Sequence, residues 1–244
     1  MNKIVKLSHV AKLHCCNTSC DCYTFVFMKK NTKDGSRYQS MGEEIANSIS
    51  HGAGVLLAIG ATPLLIMSAI PLGALAIVGA SIFGATMIIL YLASTLYHAF
   101  PQSRTKRVFQ ILDHSSIFLL IAGTYTPFTL SVLHGAWGWT LFGIVWGLAI
   151  FGVILKSVGG AGTSRLSVAL YLGMGWLAVV AVKPLWSSLP GWGIFWLLAG
   201  GLLYSAGVLF FVYDHRIRYG HFVWHLFVLA GTAAHVVAIL EYVY

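Results

Sequence analysis

Seven apolar runs, at residues 48–69, 74–99, 113–133, 137–156, 165–186, 191–212 and 220–242, occupy most of the chain. Each is close to the roughly 20 residues a helix needs to cross a hydrocarbon core of about 30 Å. None alternates polar with apolar side chains as the strands of a membrane barrel must, and a helix satisfies its own backbone hydrogen bonds in lipid. The reading is therefore an all-α, seven-transmembrane helix bundle. Composition agrees, because 58% of residues are apolar and 9% charged, against roughly a quarter charged in a soluble domain.

Residues 1–40 differ in texture. Their lysines are scattered and they hold no apolar core of the length a signal peptide needs, so they read as a cytosolic tail, with residues 41–244 forming one membrane domain. Within the tail, Cys15, Cys16, Cys20 and Cys22 lie near His14 in a spacing that matches no standard zinc pattern. A metal or lipidation site is one reading of that cluster; a start at Met28 or Met41, which would leave it out of the native protein, is the other.

Lysine and arginine give an orientation. Of the 15 in the chain, all but Lys183 fall in the tail or in the second, fourth and sixth connections. By the positive-inside rule these segments are cytoplasmic, which puts the N-terminus in the cytoplasm and the C-terminus outside. Topology also accounts for the net charge of +8, so no nucleic-acid partner is expected.

The polar residues inside the runs then acquire a depth. His98 precedes Arg104 by six residues, Asp113 follows Arg107 by six, and His221 and His225 follow Arg218 by three and seven. At 1.5 Å per residue all four lie roughly 5 to 10 Å from the cytoplasmic helix ends. His221 and His225 share one helical face, as do Ser94 and His98. Ionisable groups in a membrane are costly unless paired or liganded, so a cluster at matched depth points to a site. Three neutral imidazoles, from His98, His221 and His225, suit Zn²⁺ and leave a fourth position for water. No glutamate sits inside the histidine pair as it does in zinc peptidases. The base must come from elsewhere, and Asp113 is the only acid that the spacing puts at this depth, with Ser94 placed to hydrogen-bond the water, the aspartate or a substrate carbonyl.

Other polar residues carry plainer readings. His235 is too far along its helix to join the cluster and reads as an interior hydrogen-bonding histidine. Glu43, Asn47 and His51, four apart, read as a stripe at the start of the first helix that faces water and headgroups, with lining of the metal cavity as the alternative. Asp214, His215 and His134 fall in connections, where polarity needs no explanation. Pro127 suggests a kink, and the glycines of "GLAIFG" and "LAGGLLYSAG" suggest close helix packing.

The segments "EEIANSISHGAG", "ASTLYHAFP", "LDHSSIFLLIAGTYTPF", "YLGMGWL" and "HFVWHLFVLAGTAAH", in this order from about Tyr38 to the C-terminus, resemble the hemolysin III family, the bacterial branch of the progestin and adipoQ receptor (PAQR) superfamily. The tail is not covered. The resemblance implies seven helices with the N-terminus inside, a multi-pass protein of the bacterial inner (plasma) membrane, and zinc near the cytoplasmic surface. The family's zinc histidines carry over to His98, His221 and His225, its third-helix aspartate to Asp113 and its second-helix serine to Ser94. The wider superfamily includes receptors and lipid amidases of the ceramidase type, and the bacterial branch is named for a haemolytic activity. Three functions follow as expectations: a zinc-dependent hydrolase of a membrane lipid amide or ester, a cytolytic or pore-forming protein, or a zinc-stabilised sensor.

Overall fold

The structure, a computed structural model, describes residues 39–133, 135–159 and 165–244. The tail cysteines, His14 and His134 lie outside the described residues. Eight α-helices follow in order: α1 (Met41–Ala69), α2 (Ala74–Ala99), α3 (Arg104–Ser131), α4 (Gly135–Gly159), α5 (Arg165–Gly175), α6 (Val182–Ser188), α7 (Gly191–Val212) and α8 (Gly220–Tyr242). They make seven segments long and apolar enough to cross a membrane, the fifth being Arg165–Ser188, in which α5 and α6 are joined by a 3₁₀ turn, Leu177–Ala181.

Two helices begin before the apolar runs do. Ser40 caps α1: its side chain accepts from Glu43 N, and Glu43 Oε2 accepts from Ser40 N at 2.9 Å, a reciprocal pair that satisfies two backbone donors. Ser103 caps α3 by accepting from Lys106 N at 3.1 Å. The polar turns of residues 41–47 and 104–112 are thereby helical, and they carry side chains into the end of the bundle where the described basic residues of the second, fourth and sixth connections gather. This is called the basic end below.

Packing joins α1 to α2 and α8, α2 to α3, α3 to α4 and α7 to α8. Phe83, Met87, Tyr91, Phe118, Val145 and Ile239 are fully buried between them, while Leu56, Leu57, Ile150, Trp186 and Leu209 point outward, as an apolar solvent permits. Close helix approach is real at Gly152, where a Cβ would stand 2.4 Å from the Phe118 ring, and at Gly207 against Trp224. It is absent at Gly147 and Gly201, which face open space. Helix α3 stays helical through Pro127.

The break in the fifth span frees backbone groups that lipid cannot satisfy. Tyr125 of α3 takes them up: its Oη donates to Gly175 O at 2.9 Å and accepts from Ala178 N at 2.8 Å. Trp176 at the break donates to Ser205 Oγ of α7 at 3.0 Å.

Candidate metal centre

Three histidines converge at the basic end. His98 lies one residue from the end of α2, and His221 and His225 occupy the first turns of α8. Their ring centroids are 5.1, 5.1 and 4.8 Å apart, and one ligand atom from each lies within 4.8 Å of the others. All three are buried.

The hydrogen bonds decide which nitrogen each ring presents. His98 Nδ1 lies 2.7 Å from Glu44 Oε2. His221 Nδ1 lies 2.9 Å from Asp214 Oδ2. His225 Nδ1 lies 3.2 Å from Asn47 O and 3.0 Å from Ser50 Oγ, whose own proton goes to Asn47 O at 2.8 Å. The nearest partner of each Nδ1 accepts, the Asn47 amide nitrogen standing farther from His98 Nδ1 at 3.5 Å than Glu44 does at 2.7 Å, so each Nδ1 carries the proton and each Nε2 keeps its lone pair. Metal-bound histidines are held this way, with the far nitrogen donating to a carboxylate or carbonyl. His98 Nε2 is buried with no hydrogen-bond partner, an orphan that a cation would resolve. The donor set fits a divalent metal ion that favours imidazole.

The acids correct the sequence reading. Asp113 is buried in the site, but it is not the only acid there, because Glu44 and Asp214 also reach the histidines. The sequence reads Asp214 as an ordinary connection residue and does not single out Glu44, for the same reason: a carboxylate at a helix start or in a connection looks solvated until the connection folds back. Residues 213–219 do fold back as successive turns. They end at Tyr219, held in the left-handed region (φ 59°) while its N–H donates to Glu43 Oε1 at 2.7 Å. Glu44 is in turn fixed by Lys106, whose Nζ lies 2.9 Å from Oε1 and caps α2 through the carbonyls of Tyr97 and Phe100 at 3.0 and 3.1 Å.

The stripe of Glu43, Asn47 and His51 faces inward and not toward water and headgroups, since all three are buried. The packing of α1 between α2 and α8 turns it in. His51 lies flat on His225, with centroids 3.5 Å apart, and both its nitrogens are buried without a partner. The four-residue spacing was the available signal, and only the neighbours of α1 could give its direction.

His51, Asp113, His114, His221 and His225 line a chamber of about 10 Å³, room for roughly one water molecule. Ser94 stands near the Asp113 carboxyl, its Oγ buried and without a hydrogen-bond partner. A larger cavity of about 190 Å³ shares Leu90, Ile117, Trp224 and Val228 with the chamber's wall. It is lined mainly by aliphatic and aromatic side chains, and among them Val179, Val182, Trp186 and Leu198 are exposed at the surface beside the fifth span. His235 is distant from the histidine triad, as expected, and its Nε2 bonds Leu197 O at 3.2 Å.

The profile of the family described as "Haemolysin-III related" matches residues 39–236. The chain belongs to that family. This family member is 48% identical over 206 residues to "Hemolysin-3" of Bacillus cereus, an alignment covering 84% of this chain and 94% of the relative. It is 49% identical over 201 residues to "Hemolysin-3 homolog" of Bacillus subtilis (strain 168), covering 82% and 94%. A more distant relative is "Monocyte to macrophage differentiation factor" of Homo sapiens, at 30% over 172 residues, covering 67% and 69%. No solved structure matches this chain significantly. The haemolysin-III chain is thus an integral membrane protein with a buried three-histidine cluster able to hold a metal ion.

Proposed function

We propose that this chain is a zinc-dependent hydrolase of a membrane lipid amide or ester, with its site at the cytoplasmic end of a plasma-membrane bundle. The observation that carries the reading is the arrangement of one chamber. His221 and His225, two of the three clustered histidines, share with Asp113 a space sized for one water, against a cavity sized for an apolar chain. The orientation rests on the lysines and arginines of the even-numbered connections.

Zinc is the simplest occupant of a site with three neutral imidazoles, and when bound it supplies Lewis acidity that polarises a carbonyl and makes water a stronger acid. His98, His221 and His225 would hold it. Glu44, Asp214, Asn47 and Ser50 fix their tautomers. Asp113 accepts a proton from water as its oxygen bonds the carbonyl carbon, then gives it to the departing nitrogen or oxygen as the C–N or C–O bond breaks. Fatty acid and an amine or alcohol leave. Ser94 Oγ, buried without a hydrogen-bond partner near Asp113, serves the carboxyl or the substrate carbonyl, and His51 offers a ring nitrogen to the same chamber. The apolar cavity excludes water and takes the acyl chain.

The test is release of fatty acid from labelled ceramides, phospholipids and acyl-amides by purified, zinc-loaded protein. Zinc retention with no release from any of these lipids overturns the enzyme reading. The name Hemolysin-3 borne by the Bacillus relatives supports a second one, lysis of target membranes. Against it, the buried charged side chains among the described residues are gathered at one end and form no file through the bundle. Dye release from vesicles that survives His221→Ala would favour lysis.

A further inference from the structure

The cavity's far end, away from the basic end, is not apolar. His235 and Tyr204 line it, with His235 ten residues beyond His225, which is about 15 Å along α8. Gly200 makes the room, because a Cβ there would stand 2.3 Å from His235 Nε2.

The polar groups at this end leave two functions over. His235 Nε2 lies 3.2 Å from Leu197 O, a group that only accepts, so Nε2 carries the proton and Nδ1 is an acceptor. Nδ1 is buried with no partner. Beside it, Tyr91 Oη donates to Thr232 Oγ1 at 2.7 Å, and Tyr204 Oη pairs with the same oxygen at 2.7 Å. Three hydroxyls bring three protons and make these two bonds, so one proton is left over. The bond between Thr232 and Tyr204 can run either way: with Thr232 donating, the proton left over is the Tyr204 phenol's, and a ligand that accepts from Tyr204 selects that arrangement. The ring centroids of Tyr204 and His235 are 5.6 Å apart, and the spare donor and spare acceptor do not meet. A group that both donates and accepts would satisfy the two together. Burying either unsatisfied costs free energy.

We propose that this end of the cavity is a hydroxyl-reading subsite: a lipid acyl chain reaching it from the chamber is held more tightly when it carries a hydroxyl that donates to His235 Nδ1 and accepts from Tyr204 Oη. The proposal deepens the hydrolase reading by naming its substrate class, and it rests on that reading's use of the cavity for an acyl chain. A ketone would leave Nδ1 without a donor, and a plain chain would leave both groups unpaired.

The test uses metal-stripped full-length protein in nanodiscs, so that no turnover intervenes. Labelled hexadecanoic acid is displaced by unlabelled hexadecanoic acid and by each of its mid-chain monohydroxy isomers. The expected result is that one isomer, or a neighbouring pair, displaces about five- to tenfold better than the plain acid, the worth of a hydrogen bond to a buried group. His235→Phe and Tyr204→Phe should each erase that preference, so that the hydroxy isomers and the plain acid compete equally. Isomers that all compete like the plain acid would show a water-filled corner only and overturn the proposal, as would a preference that survives His235→Phe. If the plain acid does not bind, the cavity holds no acyl chain and the proposal falls with it. Absence of hydrolysis in the zinc-loaded protein overturns the enzyme reading while leaving a measured hydroxyl preference intact.

Discussion

Glu44 Oε2 lies 2.7 Å from His98 Nδ1, and the other oxygen of the same carboxylate lies 2.9 Å from Lys106 Nζ. One residue in the first turn of α1 therefore ties the last turn of α2 to the first turn of α3. The carboxylate holds His98 in the tautomer that leaves Nε2 available, and Lys106 keeps it in place.

Glu44→Gln should weaken zinc binding by about 10- to 100-fold, the usual loss when a metal-bound histidine loses its carboxylate partner. Competition against a chromogenic chelator would measure it. Lys106→Met, which leaves the Glu44–His98 bond in place, should cost less. Equal affinity in wild type and Glu44→Gln would remove Glu44 from the site.

His98, Asp113, His221 and His225 were legible in the chain because depth along a membrane helix can be counted from its basic ends, and those four residues share a depth. The partners of the rings were not. Glu44 and Asp214 reach them only after α1 starts at Met41, seven residues before its apolar run, and after the turns from Tyr213 fold back over α8. That fold-back needs a left-handed backbone at Tyr219, where a sequence reader looks for glycine. Here the Glu43 carboxylate holding the Tyr219 N–H supplies what residue type does not. The fifth span shows the same limit, since its length was readable but its 3₁₀ break depends on Tyr125 of another helix.

Gly152 and Gly147 lie on the same helix and separate packing from propensity. Gly152→Ala forces a Cβ against the Phe118 ring, whereas Gly147→Ala meets nothing within 4 Å. The first should destabilise the protein by about 1–3 kcal/mol, the cost of overpacking a tight interface, and the second should leave thermal unfolding in detergent unchanged or slightly raised. Equal shifts for both would mean that α3 and α4 do not pack as described.

Tyr125→Phe removes the hydroxyl that serves both Gly175 O and Ala178 N. These groups sit at a break within a membrane span, where no water replaces the lost partner. The expected cost is about 1–3 kcal/mol, with faster amide exchange or proteolysis confined to the fifth span. A variant as stable and as protected as wild type would show that the break satisfies itself.

Asp113→Asn separates holding the metal from moving the proton. The carboxyl is buried, lines the chamber with His51, His221 and His225, and stands near Ser94, yet the three-nitrogen set does not include it. An asparagine of the same shape keeps the packing and cannot take a proton from water. Turnover on a lipid substrate should fall by roughly 10²- to 10⁴-fold, the contribution of a positioned acid–base group, while zinc content after purification stays at the wild-type level. His98→Ala should lose both, since it removes a donor. Zinc loss in Asp113→Asn would make the aspartate a ligand, and full turnover with zinc retained would move the base to another residue, with His51 the next group facing that chamber.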